Sequence, residues 1–128
     1  MKLLLDTCTF LWIATGSKRL SKTVQRLHAD PANELFLSAV SAWEMGVKYS
    51  MGRLEMREPP RFFIPEVRAA YSIQELPLSE EDVLYVEALP KIHADPFDRM
   101  LICQAVIHGL TIATPDPFIK QYAVRTVW

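Results

Sequence analysis

The sequence predicts a single α/β domain over residues 1–128, built around a mostly parallel sheet. Three observations predict it. Short apolar runs at Leu3–Leu5 and Leu35–Leu37, with a further strand at Leu110–Thr114, alternate with longer helical stretches, the pattern of buried strands joined by crossover helices. Half of the residues are hydrophobic and 23% are charged, which excludes a wholly disordered chain. The 128 residues suit one core of ordinary size, and no repeat, linker or low-complexity segment divides them.

Each element has a local cause. Leu3-Leu4-Leu5 reads as a central strand, and Thr7 to Ala14 as a helix that stops near Gly16. Ser21 caps a helix through about His28, with Val24 and Leu27 inward, and Asp30-Pro31 breaks the chain after it. Leu35-Phe36-Leu37 is a second strand; Ser38 follows, then a helix from about Ala39 to Ser50 that ends at Gly52. Pro59-Pro60 and Pro65 punctuate a stretch whose Phe62, Phe63, Val67 and Ala70 would line one helical face. Ile73 to Leu78 is a short strand, and Ser79-Glu80-Glu81-Asp82 opens a helix with its acids in the favourable first turn. Asp95 to His108 carries the strongest helix signals: a cap at Asp95, proline in the first helical position and Gly109 at the stop. Leu110 to Thr114 is a strand, Asp116-Pro117 opens a short helix, and Val124 to Trp128 is a last edge strand.

Fourteen Lys and Arg nearly cancel fifteen Asp and Glu, leaving a net charge of −1. That excludes a polycation holding nucleic acid by bulk electrostatics, so any phosphate contact must be local. Cys8 and Cys103 sit among apolar neighbours that read as core, which fits a reducing compartment. Asp6 ends the first apolar run, well short of a secretory leader, and no run approaches the ~20 residues that span a bilayer. A cytoplasmic protein without membrane contact is expected.

The acids fall at strand-to-helix junctions. Asp6 follows the first strand, Asp116 follows the Leu110–Thr114 strand, and Asp95 and Asp98 open the main helix. In an open parallel sheet such junctions line the carboxyl edge, where ligands bind. Glu44 lies early in the helix after the second strand and can lean back toward that edge. A structural reading competes: Asp95-Pro96 and Asp116-Pro117 have the form of a cap followed by proline, and Ser41 with Glu44 matches the capping-box spacing. Asp6 is harder to explain as a cap alone. Carboxylates gathered on one edge repel one another unless a cation sits among them, and hard oxygen donors favour Mg²⁺ or Mn²⁺. Metal-assisted attack of water on a phosphodiester is the chemistry such a site suggests.

Other constellations compete poorly. His28, His93 and His108 lack metal-ligand spacing; His28 and His108 lie near helix ends, while His93 precedes Asp95 by two residues and either orients the cluster or bonds backbone. No glycine-rich phosphate loop is present. Lys48, Arg53, Arg99 and Lys120 are candidates for contacting a nucleic-acid backbone. Trp12 and Trp43 lie next to apolar neighbours in helices, which favours core or subunit packing over base stacking.

Four blocks together carry a family resemblance: Leu-Leu-Leu-Asp6-Thr7, Ser38-Ala-Val-Ser41-Ala-Trp-Glu44, His93-Ala-Asp95-Pro-Phe-Asp98-Arg-Met-Leu-Ile and Thr114-Pro-Asp116-Pro-Phe. In order and spacing the chain resembles PIN domains over nearly its whole length, and most closely the VapC-type toxins of bacterial toxin–antitoxin pairs. The resemblance implies a three-layer α/β/α sandwich and a Mg²⁺- or Mn²⁺-dependent ribonuclease restrained by a VapB-type antitoxin. It implies that Asp6 and Asp98 are the principal metal ligands, completed by Glu44 and Asp116, with Asp95 either a fifth acid or only the cap of its helix. Thr7 and Thr114 stand where relatives often carry a hydroxyl, suited to orienting a carboxylate or water. A homodimer is implied as well, with operator DNA reached only through the antitoxin. Two alternatives stand beside this reading: a catalytically inactive PIN-like binding module, and a receiver-type phosphoacceptor domain.

Overall fold

A computed structural model describes residues 1–128. The first strand, β1 (Lys2–Leu5), is followed by helices α1 (Thr7–Thr15) and α2 (Lys22–Ala29). β2 (Glu34–Ser38) leads into α3 (Ala39–Ser50) and α4 (Pro60–Tyr71), then β3 (Ile73–Leu76) and α5 (Glu80–Leu84) with a 3-10 turn at Tyr85–Ala88. The long helix α6 (Pro96–His108), β4 (Thr111–Ala113), a 3-10 turn at Ile119–Gln121 and β5 (Thr126–Val127) complete the chain.

All five strands are parallel, in the order β3-β2-β1-β4-β5. Leu3, Leu4 and Leu5 are fully buried, as a central strand covered on both faces requires. Because side chains alternate across a strand, Leu3 and Leu5 join Phe10, Ile13, Val24, Met45, Phe63 and Val67 on one face. Leu4 joins Leu101, Ile102, Ala105 and Ile119 on the other. The expected three-layer sandwich is therefore present. Each fully buried leucine contributes roughly 2 kcal/mol.

The strand order also fixes where a site can form. From β1 the chain adds β2 and β3 to one side and β4 and β5 to the other, so the carboxyl ends of the neighbouring β1 and β4 form a topological switch point. Receiver domains use the order 2-1-3-4-5, and the order seen here removes that alternative.

Several boundaries differ from the expected ones for local reasons. β3 ends at Leu76, before Pro77 can break the ladder, and β4 and β5 keep only the residues with a partner across the sheet. In α4 the buried stripe is Pro60, Phe63, Ile64 and Val67, the i, i+3, i+4, i+7 set, whereas Phe62 is 54% exposed and Ala70 is also outside it. The start of α3 is capped by Ser38, whose hydroxyl accepts from the Val40 N–H at 3.0 Å, so Ser41 and Glu44 do not form a capping box. Trp43 is 62% exposed rather than core, its ring edge-on to Phe97 with centroids 5.0 Å apart. Trp12 packs against Trp128 at 5.7 Å. His108 pairs with the buried Asp82 at 2.9 Å instead of merely facing solvent at its helix end.

Candidate metal centre

Asp6 leaves the end of β1 and performs two tasks with its two oxygens. Oδ1 accepts from the Thr9 N–H at 2.9 Å and so caps α1, and Oδ2 accepts from the Thr114 hydroxyl at 2.5 Å. The carboxylate is buried, with 4% of the residue exposed. Burial pushes its pKa up, against the hydrogen bonds from Thr114, Thr9 and Cys8 that favour the charged form.

Asp116 shows the same division of labour. Its Oδ1 accepts from the Phe118 N–H at 2.8 Å, while Oδ2 lies 3.2 Å from His93 Nε2. Its backbone N–H donates to the Thr114 hydroxyl at 3.0 Å, so Thr114 links the ends of β1 and β4. The flanking Pro115 and Pro117 thus present a carboxylate whose aim is set by three hydrogen bonds. Asp95 caps α6 through Oδ1, which accepts from Phe97 N–H at 2.8 Å and Asp98 N–H at 3.3 Å.

Asp98 stands in the first turn of α6, with Oδ2 3.0 Å from His93 Nε2. Its pKa is pushed up to about 7, first by burial and then by the neighbouring Asp95, Asp6 and Glu44 carboxylates. Glu44 reaches the group from α3; it is almost fully buried, accepts from the Thr7 hydroxyl at 2.6 Å and is paired with Lys48 one turn later. The Glu44 hydrogen bond is also the main reason the Lys48 ammonium is held above its ordinary pKa.

Asp6, Glu44, Asp95, Asp98 and Asp116 line one open pocket of about 500 Å³, with Thr7, Cys8, Lys48, Pro115, Pro117 and Phe118. Five carboxylates from four separate stretches of sequence, Asp95 and Asp98 sharing the start of α6, therefore meet at the carboxyl edge. Capping does not use up these acids, since Asp6, Asp95 and Asp116 each place one oxygen on a backbone turn and keep another for a different partner or the pocket. Helix N-terminal dipoles at α1 and α6 offset part of the repulsion. One lysine and these dipoles leave the cluster short of positive charge, and the donors are hard oxygens, so the group fits a divalent cation of the Mg²⁺ or Mn²⁺ type. Ligand-type atoms of His93, Asp98 and Asp116 also lie within 4.8 Å of one another. A second cleft, about 470 Å³, opens at the amino ends of β2 and β3, and Asp30 is the sole acid along it.

Other sequence candidates fall elsewhere. Thr114 is buried behind the pocket on Asp6. Arg99 is engaged with the Pro90 carbonyl at 2.8 Å and the Tyr122 hydroxyl at 3.1 Å, and neither it nor the exposed Arg53 and Lys120 lines the pocket. Cys8, expected in the core, is half-buried in the pocket wall with Sγ 3.3 Å from Asp6. Burial and the Asp6 carboxylate push its thiol far up, so it is a poor nucleophile. Its offset of two residues from Asp6, at the start of α1, is the signal that places it there. Phe118 was not among the expected site residues; it forms pocket wall and lies 5.3 Å from the His93 ring.

The family model described as PIN domain matches residues 3–124. The chain belongs to the PIN domain family. Solved structures share the fold. VapBC2 from Rickettsia felis bound to a promoter DNA fragment aligns with a TM-score of 0.73 at 12% identity, covering 99% of this chain and 98% of that one. VapBC-1 from nontypeable Haemophilus influenzae aligns at 0.61 and 16%, covering 99% and 97%. A toxin–antitoxin complex from Klebsiella pneumoniae aligns at 0.63 and 18%, covering 98% and 96%. At such identities the likeness concerns the fold of this PIN domain. No curated protein matches its sequence. No helix is long and apolar enough to cross a membrane.

Proposed function

We propose that this PIN domain is a metal-dependent endoribonuclease and the toxin of a toxin–antitoxin pair. The meeting of Asp6, Glu44, Asp98 and Asp116 at the switch point carries the reading. The structural neighbours, which are toxin–antitoxin complexes, support the biological setting.

Asp6 and Asp98 would hold Mg²⁺ or Mn²⁺, with Glu44 and Asp116 completing the site and Asp95 at its rim. When bound, such a cation supplies Lewis acidity, making water a stronger nucleophile and neutralising charge on the phosphodiester. The chain's residues supply the rest. Thr114 and Thr7 fix the Asp6 and Glu44 carboxylates by hydrogen bonds, so neither has to reorganise as charge develops. Lys48 lines the pocket beside Glu44 and is placed to meet a phosphate oxygen. Because water attacks rather than the ribose 2′ hydroxyl, the products carry 5′ phosphate and 3′ hydroxyl ends.

In this proposal the toxin works in the cytoplasm as a homodimer, is inhibited by a cognate VapB-type antitoxin and meets operator DNA only through that partner. The test is cleavage of single-stranded and structured RNA in Mn²⁺, in chelator and by Asp6→Asn. Cleavage by the wild type that is lost in the other two arms is expected; equal cleavage in all three overturns the metal-nuclease reading. A wild type that binds its antitoxin but never cuts RNA would establish the inactive-module alternative.

A further inference from the structure

His93 sits beside Asp95, Asp98 and Asp116, and its ring is held by several contacts. Its own N–H and that of Ile92 donate to the Tyr122 hydroxyl at 2.8 and 3.1 Å, anchoring the loop before α6. Its ring lies against Phe118, tilted by 36°. The Asp95 N–H donates to Nδ1 at 3.3 Å. A backbone amide can only donate, so Nδ1 is an acceptor and the ring proton of neutral His93 belongs to Nε2. That nitrogen faces Asp98 Oδ2 at 3.0 Å and Asp116 Oδ2 at 3.2 Å.

The direction of approach matters too. His93 does not line the acidic pocket; it lines a separate cleft with Lys91, Ile92, Ala94 and Arg99. The Asp98 and Asp116 carboxylates that its Nε2 reaches do line the pocket. A ligand would be expected to face the pocket with a free lone pair, and His93 does neither.

We propose that His93 is a positioning residue, an Nε2–H clamp that draws Asp116, carried on the loop after β4, onto Asp98 of α6 without itself ligating the cation. The proposal rests on the reading that these two acids belong to a metal site. The clamp matters because Asp116 follows a short strand between two prolines, and Oδ2 has His93 as its hydrogen-bond partner. An outer group of this kind is worth roughly 10- to 100-fold in metal affinity.

The experiment has three readouts. Long-range ¹H–¹⁵N NMR of the metal-free wild type should show His93 as the Nε2–H tautomer; the Nδ1–H tautomer overturns the clamp. Mn²⁺ titration calorimetry should find His93→Ala weakened by roughly 10- to 100-fold, with His93→Gln, whose amide reaches a similar distance and donates, recovering most of the loss. Equal affinity of His93→Ala and wild type overturns the proposal, as does His93→Gln as weak as His93→Ala when thermal melts show both folded. Electron spin echo modulation of bound Mn²⁺ should lack the strong coupling of a directly bound imidazole nitrogen; its presence makes His93 a ligand and overturns the positioning role. A wild type that binds no Mn²⁺ defeats the metal reading, whereas the tautomer, measured without metal, still decides the clamp.

Discussion

Thr114 and Asp6 are 108 residues apart in sequence and 2.5 Å apart in space, hydroxyl to carboxylate. The bond crosses between the ends of β4 and β1, and the same hydroxyl accepts from the Asp116 N–H. One side chain thereby sets two of the acids. Thr114→Val keeps the shape and deletes the hydroxyl, so it should lower Mn²⁺ affinity and cleavage by roughly 10-fold or more while the fold persists. Calorimetry alongside circular dichroism checks this, and Thr114→Ser should restore most of the loss.

Acid and metal should compete for the pocket. Asp98 is raised to about 7, and burial raises Asp6 too, so these groups bind protons more tightly folded than unfolded. Their protonation therefore stabilises the metal-free fold fully below about pH 4, and that contribution is lost as pH rises through about 7. Melts of chelated protein should show this component, and Mn²⁺ should raise the melting temperature more at pH 8 than at pH 6.

Asp82 has the opposite sign. Burial alone would raise it, but hydrogen bonds from Ser79, Gln104 and His108 outweigh burial and hold its pKa below the ordinary value. Its contribution is present above about pH 4 and lost on further acidification. Gln104 passes the connection on, accepting from the Ser38 hydroxyl at 2.5 Å, so the network joins α5, α6 and the cap of α3. Asp82→Ala leaves buried donors without an acceptor and should cost about 3 kcal/mol in urea denaturation.

Gly16 ends α1 at φ +63°, with open space where a Cβ would stand. Gly16→Ala should therefore cost about 1 kcal/mol from backbone strain alone, measurable by denaturation, and leave metal binding unchanged.

Much of this was legible in the sequence because it follows from one-dimensional rules. The apolar run Leu3–Leu5 marked the central strand, and Asp95-Pro96 with Gly109 bounded α6. The aspartates were legible as a set because each follows a strand or opens a helix, and the parallel sheet brings such positions to one edge, where Glu44 leans back from within α3. Tertiary partnerships were not. Asp82 read as a first-turn acid, since nothing near it in sequence announces Gln104 and His108 more than twenty residues away. Cys8 read as core because its neighbours are apolar, although helix geometry turns it toward Asp6. The Pro59 to Tyr71 region hid its true face, because two adjacent phenylalanines lie about 100° apart on a helix and only Phe63 can face the core.

The most direct measurement is anomalous diffraction at the manganese edge from crystals grown with Mn²⁺. The account predicts a peak within coordination distance, about 2.1 Å, of oxygens of Asp6 and Asp98, and its loss in Asp98→Asn. A wild-type map with no peak in this pocket at saturating Mn²⁺, or a peak unchanged in Asp98→Asn, would contradict it.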